Sequence, residues 1–538
     1  MKTIHNIFYF KRHIYTLFVA LFFIVSCSDD FLKDELLSDT SIDFLYSTTE
    51  GLESAVVGLY TLNRQRYEKK GYNGSFPLIL QAKSDLSVGI TGEVSLYSRL
   101  LWGMSLGDHG TASGLNFYWN HYYKIVDRSN AIIQAAENID GIDEDKKNQI
   151  LSEAKCMRAN SFFSLYRLFN NIYVSTEPTT PENAFDVPQD KSSKEEIFAL
   201  LKSDLDFAIA NLSYTTSQFG RFTQGTARHI RAKVAMWEED WAVAVTQTDA
   251  IIDSGNYSLT TTNEVFKGDL NHSETLFASL FAKETIGGGS EHLINWNIVS
   301  ESSAAEGVVH SVENGGAGVG FLSLNKYVIE LLEEDSNDAR RNSSYYIFDY
   351  LYNDEATLPS GKTIGDPLDL YVNHPTDQNE FMNYYRRQNP GVVKFLDTDV
   401  EPTDREHFKN IMVYRLAETY LIGAEAHMMS GNNAKALQYL NAVRQRANAA
   451  DKTTIDLQAI LDERARELAF EGQRWFTLKR TGKLFEFLQD HMNNDNMNAS
   501  YPEGNPKEII KEYMQNWPIP QSQIELLGPN YPQNEGYN

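Results

Sequence analysis

Apolar residues return to one face at helical spacing along most of this chain, and two long stretches break the rhythm. Within residues 143–169, Ala154, Met157, Phe162, Leu165 and Phe169 keep that spacing, and together with residues 116–139 they predict two long helices. Residues 192–212 predict a third, and the helical pattern resumes from Ile411 in I-M-V-Y-R-L-A-E-T-Y-L-I-G-A-E-A. Residues 71–114, rich in Gly, Ser and Tyr, hold no sustained period and read as loops and short turns. Residues 260–410 carry Gly287-Gly288-Gly289 and Gly315-Gly316, and the pattern there predicts loops, one helix over 324–333 and short strands such as 392–395. Irregular segments of that length inside a helical body are where function concentrates.

The helical stretches also repeat. Ala232 and Ala244 stand twelve residues apart with Ile251 following, and the same interval separates Ala424 from Ala436, with Gly431 between them and Leu440 and Val443 after. This is the tetratricopeptide spacing of a helical hairpin: small residues let two backbones close in, and stacked hairpins bury a seam that no single hairpin closes. Unrelated alanine-rich hairpins are the plainer alternative, and two separate occurrences favour repeats.

The densest chemistry lies at residues 462–482. Leu461, Ala465, Leu468 and Ala469 form an apolar helix face, Arg464, Glu467, Glu471 and Arg474 crowd beside it, and Trp475 and Phe476 follow at once. Asp462 precedes Arg466 by four, the favourable orientation for a helical ion pair. Charges this close to bulky aromatics are desolvated unless each carboxylate meets a guanidinium, so the stretch predicts an Arg/Glu lattice that locks a helix into a core. Glu467 and Glu471, one turn apart, also suit an acid/base pair or a bound cation, but the neighbouring arginines would keep both ionised and occupied.

At 538 residues, with 42% hydrophobic and 12% aromatic content, the chain can bury a large core in two or more lobes. Lys2, Lys11 and Arg12 precede an apolar run from Ile14 to Val25 that is too short to span a bilayer and reads as a signal peptide. The run ends I-V-S-C and is followed by Ser28-Asp29-Asp30, an arrangement that resembles a lipobox, in which cleavage leaves Cys27 as an acylated, palmitate-bearing N-terminus. Loss of residues 1–26 removes three basic and no acidic residues and deepens the net charge from −25 to −28, a poor match for nucleic acid. Cys156 is then the one cysteine besides Cys27, so neither an internal disulfide nor a cysteine metal cluster is expected. A phosphate-binding glycine loop, G-x-S-x-G, H-E-x-x-H and zinc-type Cys/His spacing are all missing, and no catalytic residue, cofactor or metal is assigned. Asp366 and Asp369, or Asp397, Asp399 and Glu401, offer oxygens to calcium but read as solvated surface in so acidic a chain.

The stretch E-R-A-R-E-L-A-F-E-G-Q-R-W-F-T-L-K-R-T-G resembles the C-terminal signature of the SusD/RagB family of outer-membrane nutrient-binding lipoproteins, with Thr477 where the family usually carries aspartate. The stretches W-N-H-Y-Y-K-I-V-D-R-S-N, E-A-K-C-M-R-A-N-S-F-F-S-L-Y-R-L and the ending P-Q-N-E-G-Y carry the same resemblance, while Asn170-Asn171-Ile172-Tyr173 stands where the family has Gly-Gly-Val-Pro. The resemblance implies a mainly α fold, a SusD-like α/α superhelix of tetratricopeptide-like hairpins with an irregular, loop-rich lobe containing a few short strands. On that reading, residues 1–26 are the signal peptide, 27–48 a lipidated tether, 49–260 and 409–538 helical regions, and 261–408 the candidate ligand-binding region. It implies a non-catalytic protein, lipid-anchored to the outer membrane through Cys27 and facing outward, that captures an oligosaccharide or polysaccharide and delivers it to a SusC-like TonB-dependent transporter. A peptide ligand, or a purely structural adaptor on the transporter, stays open, and the resemblance speaks against a surface hydrolase. Sugar rings stack on flat aromatics and bond to amide or planar groups, which singles out Trp102, Tyr97 and Arg99 in the early loop and Trp296 and Asn297 in the lobe.

Overall fold

The structure, a computed structural model, describes residues 42–68, 80–81, 83–89, 113–283, 291–369, 387–491 and 510–537. Helices α1 (Ile42–Ser47), α2 (Thr49–Arg64), α3 (Ser113–Asn138), α4 (Glu144–Phe169), α5 (Lys194–Asn211), α6 (Gln224–Glu238) and α7 (Trp241–Ile252) pack in sequence, each on the next. Local chemistry starts them: Thr48 accepts from the Gly51 amide, and Ser193 with Glu196 closes a full capping box on α5. The stack then continues from α7 onto α10 (Leu416–Met429) and α11 (Asn433–Arg446), although all of residues 253–415 lie between them in the chain.

Those intervening residues leave and re-enter through one ribbon. Strand β2 (Thr275–Ser279) pairs antiparallel with β6 (Ile411–Arg415), Thr275 opposite Arg415 and Ser279 opposite Ile411. Ile411–Arg415 was expected to open a helix. It is a strand because β2 supplies a fully buried partner for its branched and aromatic side chains, and the helix begins only at Leu416. The rest of the lobe is loops with α8 (Ile294–Ile298), α9 (Lys326–Glu333) and two small ribbons, β1 (Ser87–Gly89) with β3 (Leu322–Leu324) and β4 (Tyr346–Ile347) with β5 (Gly391–Val392). The early loop therefore contributes a strand to the lobe.

The two hairpins of the repeat are built alike. Ala232, Ala235, Met236 and Ala244 of the first form one apolar cluster with Ile422 and Ala426 of the second. Gly423 marks the closest approach: a methyl group there would lie 2.8 Å from the Tyr439 ring of α11 and 3.1 Å from the Thr248 hydroxyl of α7. The left-handed turn residue differs between them, since Glu239 holds a φ of 59° where Gly431 holds 81°. Asp240 and Asn432 follow as the N-caps of α7 and α11.

Helix α12 (Leu457–Leu468) is where these parts meet. Leu461 joins the main helical core, Ile460 and Leu468 join the core of the second hairpin, and Ala465 and Ala469 join the core of the lobe. Each of its buried leucines or isoleucines contributes about 1.5–3 kcal/mol. The 462–482 stretch is two helices, broken by Phe470 at φ 67° and Gly472 at φ 76° before α13 (Arg474–Arg480). Between α14 (Leu484–His491) and α15 (Gln521–Leu527), the chain is tied back by the Trp517 amide donating to the Leu168 carbonyl at 2.7 Å. Among the described residues no helix is long and apolar enough to cross a membrane. Residues 1–26 and Cys27 lie outside the described residues.

Candidate functional site

Buried charge seats the lobe on α12. Glu467 is fully buried; its Oε1 accepts from Arg415 Nη1 at 2.6 Å and from the Tyr345 hydroxyl at 2.8 Å and pairs with Arg446, while Oε2 accepts from Arg340 Nη1 at 3.1 Å. Glu471 receives Lys394 Nζ and Arg415 Nε, each at 2.7 Å. Glu463, one turn earlier, receives Arg340 at 2.7 Å and Arg444 at 2.6 Å. Arg340, Tyr345 and Lys394 come from the lobe, Arg415 from the neck ribbon and Arg444 and Arg446 from α11, so three carboxylates join three regions. Burial alone would raise the Glu467 pKa, but the guanidinium groups of Arg446, Arg415 and Arg340 prevail and hold it well below the ordinary carboxylate range. An ionised group with its oxygens so occupied has no proton to give, which removes the acid/base reading of Glu467 with Glu471.

The four charges singled out in the sequence do not form one lattice. Glu467 and Glu471 share the network above. Arg464 points elsewhere: its Nη2 donates to the Thr477 hydroxyl at 3.0 Å and lies 3.5 Å from Glu418. Glu418 also receives Lys233 at 2.7 Å and His229 Nε2 at 3.0 Å. Thr477 thus supplies a neutral acceptor to the arginine, and the charge comes from Glu418. Arg474 forms a bidentate pair with Asp85 at 2.8 and 2.6 Å and caps the Leu461 carbonyl, tying the early segment to α12. The expected Asp462–Arg466 pair is absent because α9 offers each a partner: Tyr327 donates to Asp462 at 2.6 Å, and Arg466 reaches Glu334 and the Leu331 carbonyl.

Trp296 and Asn297 sit together in the lobe, on the single turn α8 instead of in a loop. Trp296 is only 8% exposed, with Phe321 edge-on at 5.7 Å and the Arg405 guanidinium 5.1 Å above its ring. Asn297 donates to the Leu293 carbonyl at 2.8 Å, and its buried Oδ1, like that of Asn295, has no hydrogen-bond partner among the described residues. A buried carbonyl without a donor costs on the order of 1–3 kcal/mol. Phe321 and Arg405 come from separate loops and carried no signal in the sequence. Trp102, Tyr97 and Arg99 lie outside the described residues. Asp366 and Asp397 turn their carboxylates to neighbouring amides, Asp366 to Thr363 and Asp397 to Asp399 and Phe408.

A superhelix of tetratricopeptide-like hairpins carrying a loop-rich lobe, the two joined by a buried ion-pair lattice, defines a helical-repeat scaffold protein. The chain belongs to the SusD family: that family's model matches residues 314–537, and a second model, described as starch-binding associating with outer membrane, matches residues 53–236. SusD-like protein P25 of Formosa agariphila is 26% identical over 95% of this chain and 97% of its own. The starch-binding protein SusD of Bacteroides thetaiotaomicron is 36% identical over a shorter stretch, 24% of this chain and 22% of that one. The fold is that of a SusD superfamily protein from Bacteroides vulgatus (TM-score 0.68, 20% identity, 91% of this chain and 99% of that one). A laminarin binding SusD-like protein shares it as well (TM-score 0.66, 22% identity, 91% and 100%).

Proposed function

We propose that this protein is a cell-surface glycan-binding lipoprotein, anchored in the outer membrane through an acylated Cys27, that captures an oligosaccharide in its loop-rich lobe and hands it to a TonB-dependent, SusC-like transporter. The observation that carries the glycan reading is Trp296 beside Asn297, a flat indole next to an amide oxygen that lacks a donor, within a lobe braced by the α12 lattice. A hydroxyl of the ligand would supply that donor, and a swing of Arg405 off the indole would free the face on which a sugar ring stacks. Trp102, Tyr97 and Arg99 are further candidate ligand contacts on the sequence alone. Relatives described as starch-binding and laminarin binding support a glycan over a peptide. The helical regions 49–260 and 409–538 act as the rigid scaffold and 261–408 as the ligand-holding part.

Native gels cast with a panel of soluble polysaccharides test this. One glycan is expected to retard the protein, and Trp296→Ala or Trp102→Ala to abolish the retardation. Equal mobility in every glycan, with retention of a peptide library instead, would sink the glycan reading.

A further inference from the structure

A second concavity lies on the helical body, apart from the lobe. It is a cleft of ≈ 480 Å³ where the ends of α4, α6 and α13 meet the start of α7. Trp237 and Trp241 flank the Glu239 turn and line it, with Tyr166 edge-on to Trp237 at 6.0 Å. Lys479 lines it too; its Nζ donates to the Arg167 carbonyl at 2.7 Å and sits 5.7 Å from the Trp237 ring centre, and among the described residues it makes no ion pair. Arg480 next to it is, by contrast, already neutralised by Glu425 at 2.7 Å. Gln515, on the opposite wall, spends its amide on no hydrogen bond among the described residues. Burial, and then the charge of Arg167, pushes Lys479 down to about 7. The site thus holds an amine without a counter-ion among the described residues, beside two half-buried indoles, and a bound carboxylate would favour its protonated form.

Helix dipoles do not favour an anion, because the starts of α5, α7 and α12 are opposed at the cleft by the ends of α4, α6, α10 and α13. Side chains decide the sign of the ligand. With Arg480 and Glu425 paired off, Lys479 and the exposed Lys194 face Glu239 alone. The net charge of −25 repels anions at long range, but at physiological ionic strength that field is screened within about 8 Å. We infer that this cleft binds an acidic sugar, a uronate-containing oligosaccharide whose ring stacks on Trp237 and Trp241 and whose carboxylate pairs with Lys479. Indole faces suit the flat C–H side of a pyranose, and the Gln515 amide takes a hydroxyl.

The site is independent of the lobe and is tested independently. Binding of three probes, trigalacturonate, trimannuronate and triguluronate, and of their methyl esters is measured by titration calorimetry. At least one acid is expected to bind, with its ester about ten-fold or more weaker, since a charge-assisted hydrogen bond contributes about 1.5–3 kcal/mol. Lys479→Met, which keeps the aliphatic stem, and Trp241→Ala are each expected to weaken the acid by a similar factor, and Trp296→Ala to leave it unchanged. Failure of all three acids to bind, an ester as tight as its acid, or cleft variants without effect overturns the inference. Loss only in Trp296→Ala also overturns it while leaving the lobe reading intact. Should Lys479→Met not fold, Trp241→Ala and the ester comparison still decide.

Discussion

The helical body and the lobe are held together by opposite means. In the body, small residues let helices touch: Ala232, Ala244, Ala424 and Ala436 are fully buried, and the seam between hairpins is an apolar cluster beside one buried polar contact, Glu418 with Lys233 and His229. The lobe has too little regular structure to stack on anything. It is fastened by Glu463, Glu467 and Glu471 on α12, each gripping cations from distant segments. A close-packed seam tolerates little change in volume, whereas an ion-pair seam tolerates little change in charge. The same fold therefore has a helical body whose weakness is mainly steric and a lobe whose weakness is mainly electrostatic.

The sharpest way to break this contrast is Glu467→Ala. It removes the one carboxylate that Arg340, Arg415 and Arg446 share. Each keeps another acidic partner, Asp338 and Glu463, Glu274 and Glu471, and Glu274 respectively, but the buried cluster is left with one positive charge uncompensated, which is expected to cost about 3–5 kcal/mol. Hydrogen exchange should show protection lost first in Tyr345–Ile347, Gly391–Val392 and Ile411–Arg415, with α3 to α5 unaffected. Uniform loss across both regions would mean that the lattice holds the whole molecule and not the lobe alone.

Acid should probe the same difference. His292 and His407, stacked 6.1 Å apart at the neck of the lobe, are pushed down to about 3 and about 4, chiefly by burial. A depressed folded pKa means that the unfolded chain takes up protons first, so this contribution is fully present above about 6.5 and is lost as pH falls toward 4. Glu467 and Glu418 add a second loss below about 4.5, since both are held ionised in the fold. His229, buried in the body, is lowered by burial as well, so denaturant unfolding from pH 7 to pH 4 should show protection declining in both regions before the carboxylates titrate, and most in the lobe, which holds two such histidines. A flat profile down to pH 4.5 would remove the histidines from the account.

The steric side is tested at Gly423. Gly423→Ala gains about 1 kcal/mol of helix propensity but drives a methyl into Tyr439 and Thr248, and overpacking of a tight core costs about 1–3 kcal/mol. A lowered melting temperature with normal exchange in the lobe is expected; an unchanged or raised one would show that the seam has slack. Smaller again is Thr477→Val, which takes from Arg464 its shortest acceptor and should cost about 1–2 kcal/mol in thermal unfolding. No change there would mean that Glu418 alone suffices for Arg464.

What could be read in advance follows the same division. The hairpins were legible because periodicity and the alanine interval are local properties, and the apolar stripe of Leu461, Ala465 and Leu468 announced α12. The presence of Glu467 and Glu471 beside that stripe showed that cations must come from somewhere. Their identity was hidden: Arg340, Lys394 and Arg415 sit in unrelated segments and meet only through the fold. Ile411–Arg415 was misread because an apolar run continuous with L-A-E-T-Y-L-I looks the same as strand or helix until β2 is known to lie beside it. The turn that carries Trp296 is not legible in the sequence because α8, at five residues, is too short to show a period.

The mildest test lies in the turns of the two hairpins, where a glutamate stands in one and a glycine in the other. Glu239 and Gly431 occupy equivalent turns, one residue before the N-caps Asp240 and Asn432, and both are left-handed. A side chain in that conformation costs about 1–2 kcal/mol, while glycine adopts it freely but gives up more entropy on folding. Glu239→Gly should therefore stabilise the body by a few tenths to about 1 kcal/mol, and Gly431→Ala should cost about the same, each read as a shift in the denaturant midpoint. If Glu239→Gly destabilises instead, the glutamate side chain contributes something the first hairpin needs. Because Glu239 also lines the cleft with Lys479, the same variant removes the acidic group facing that amine. A gain in stability together with tighter uronate binding would place both effects on one residue, whereas a gain in stability alone would confine Glu239 to the turn.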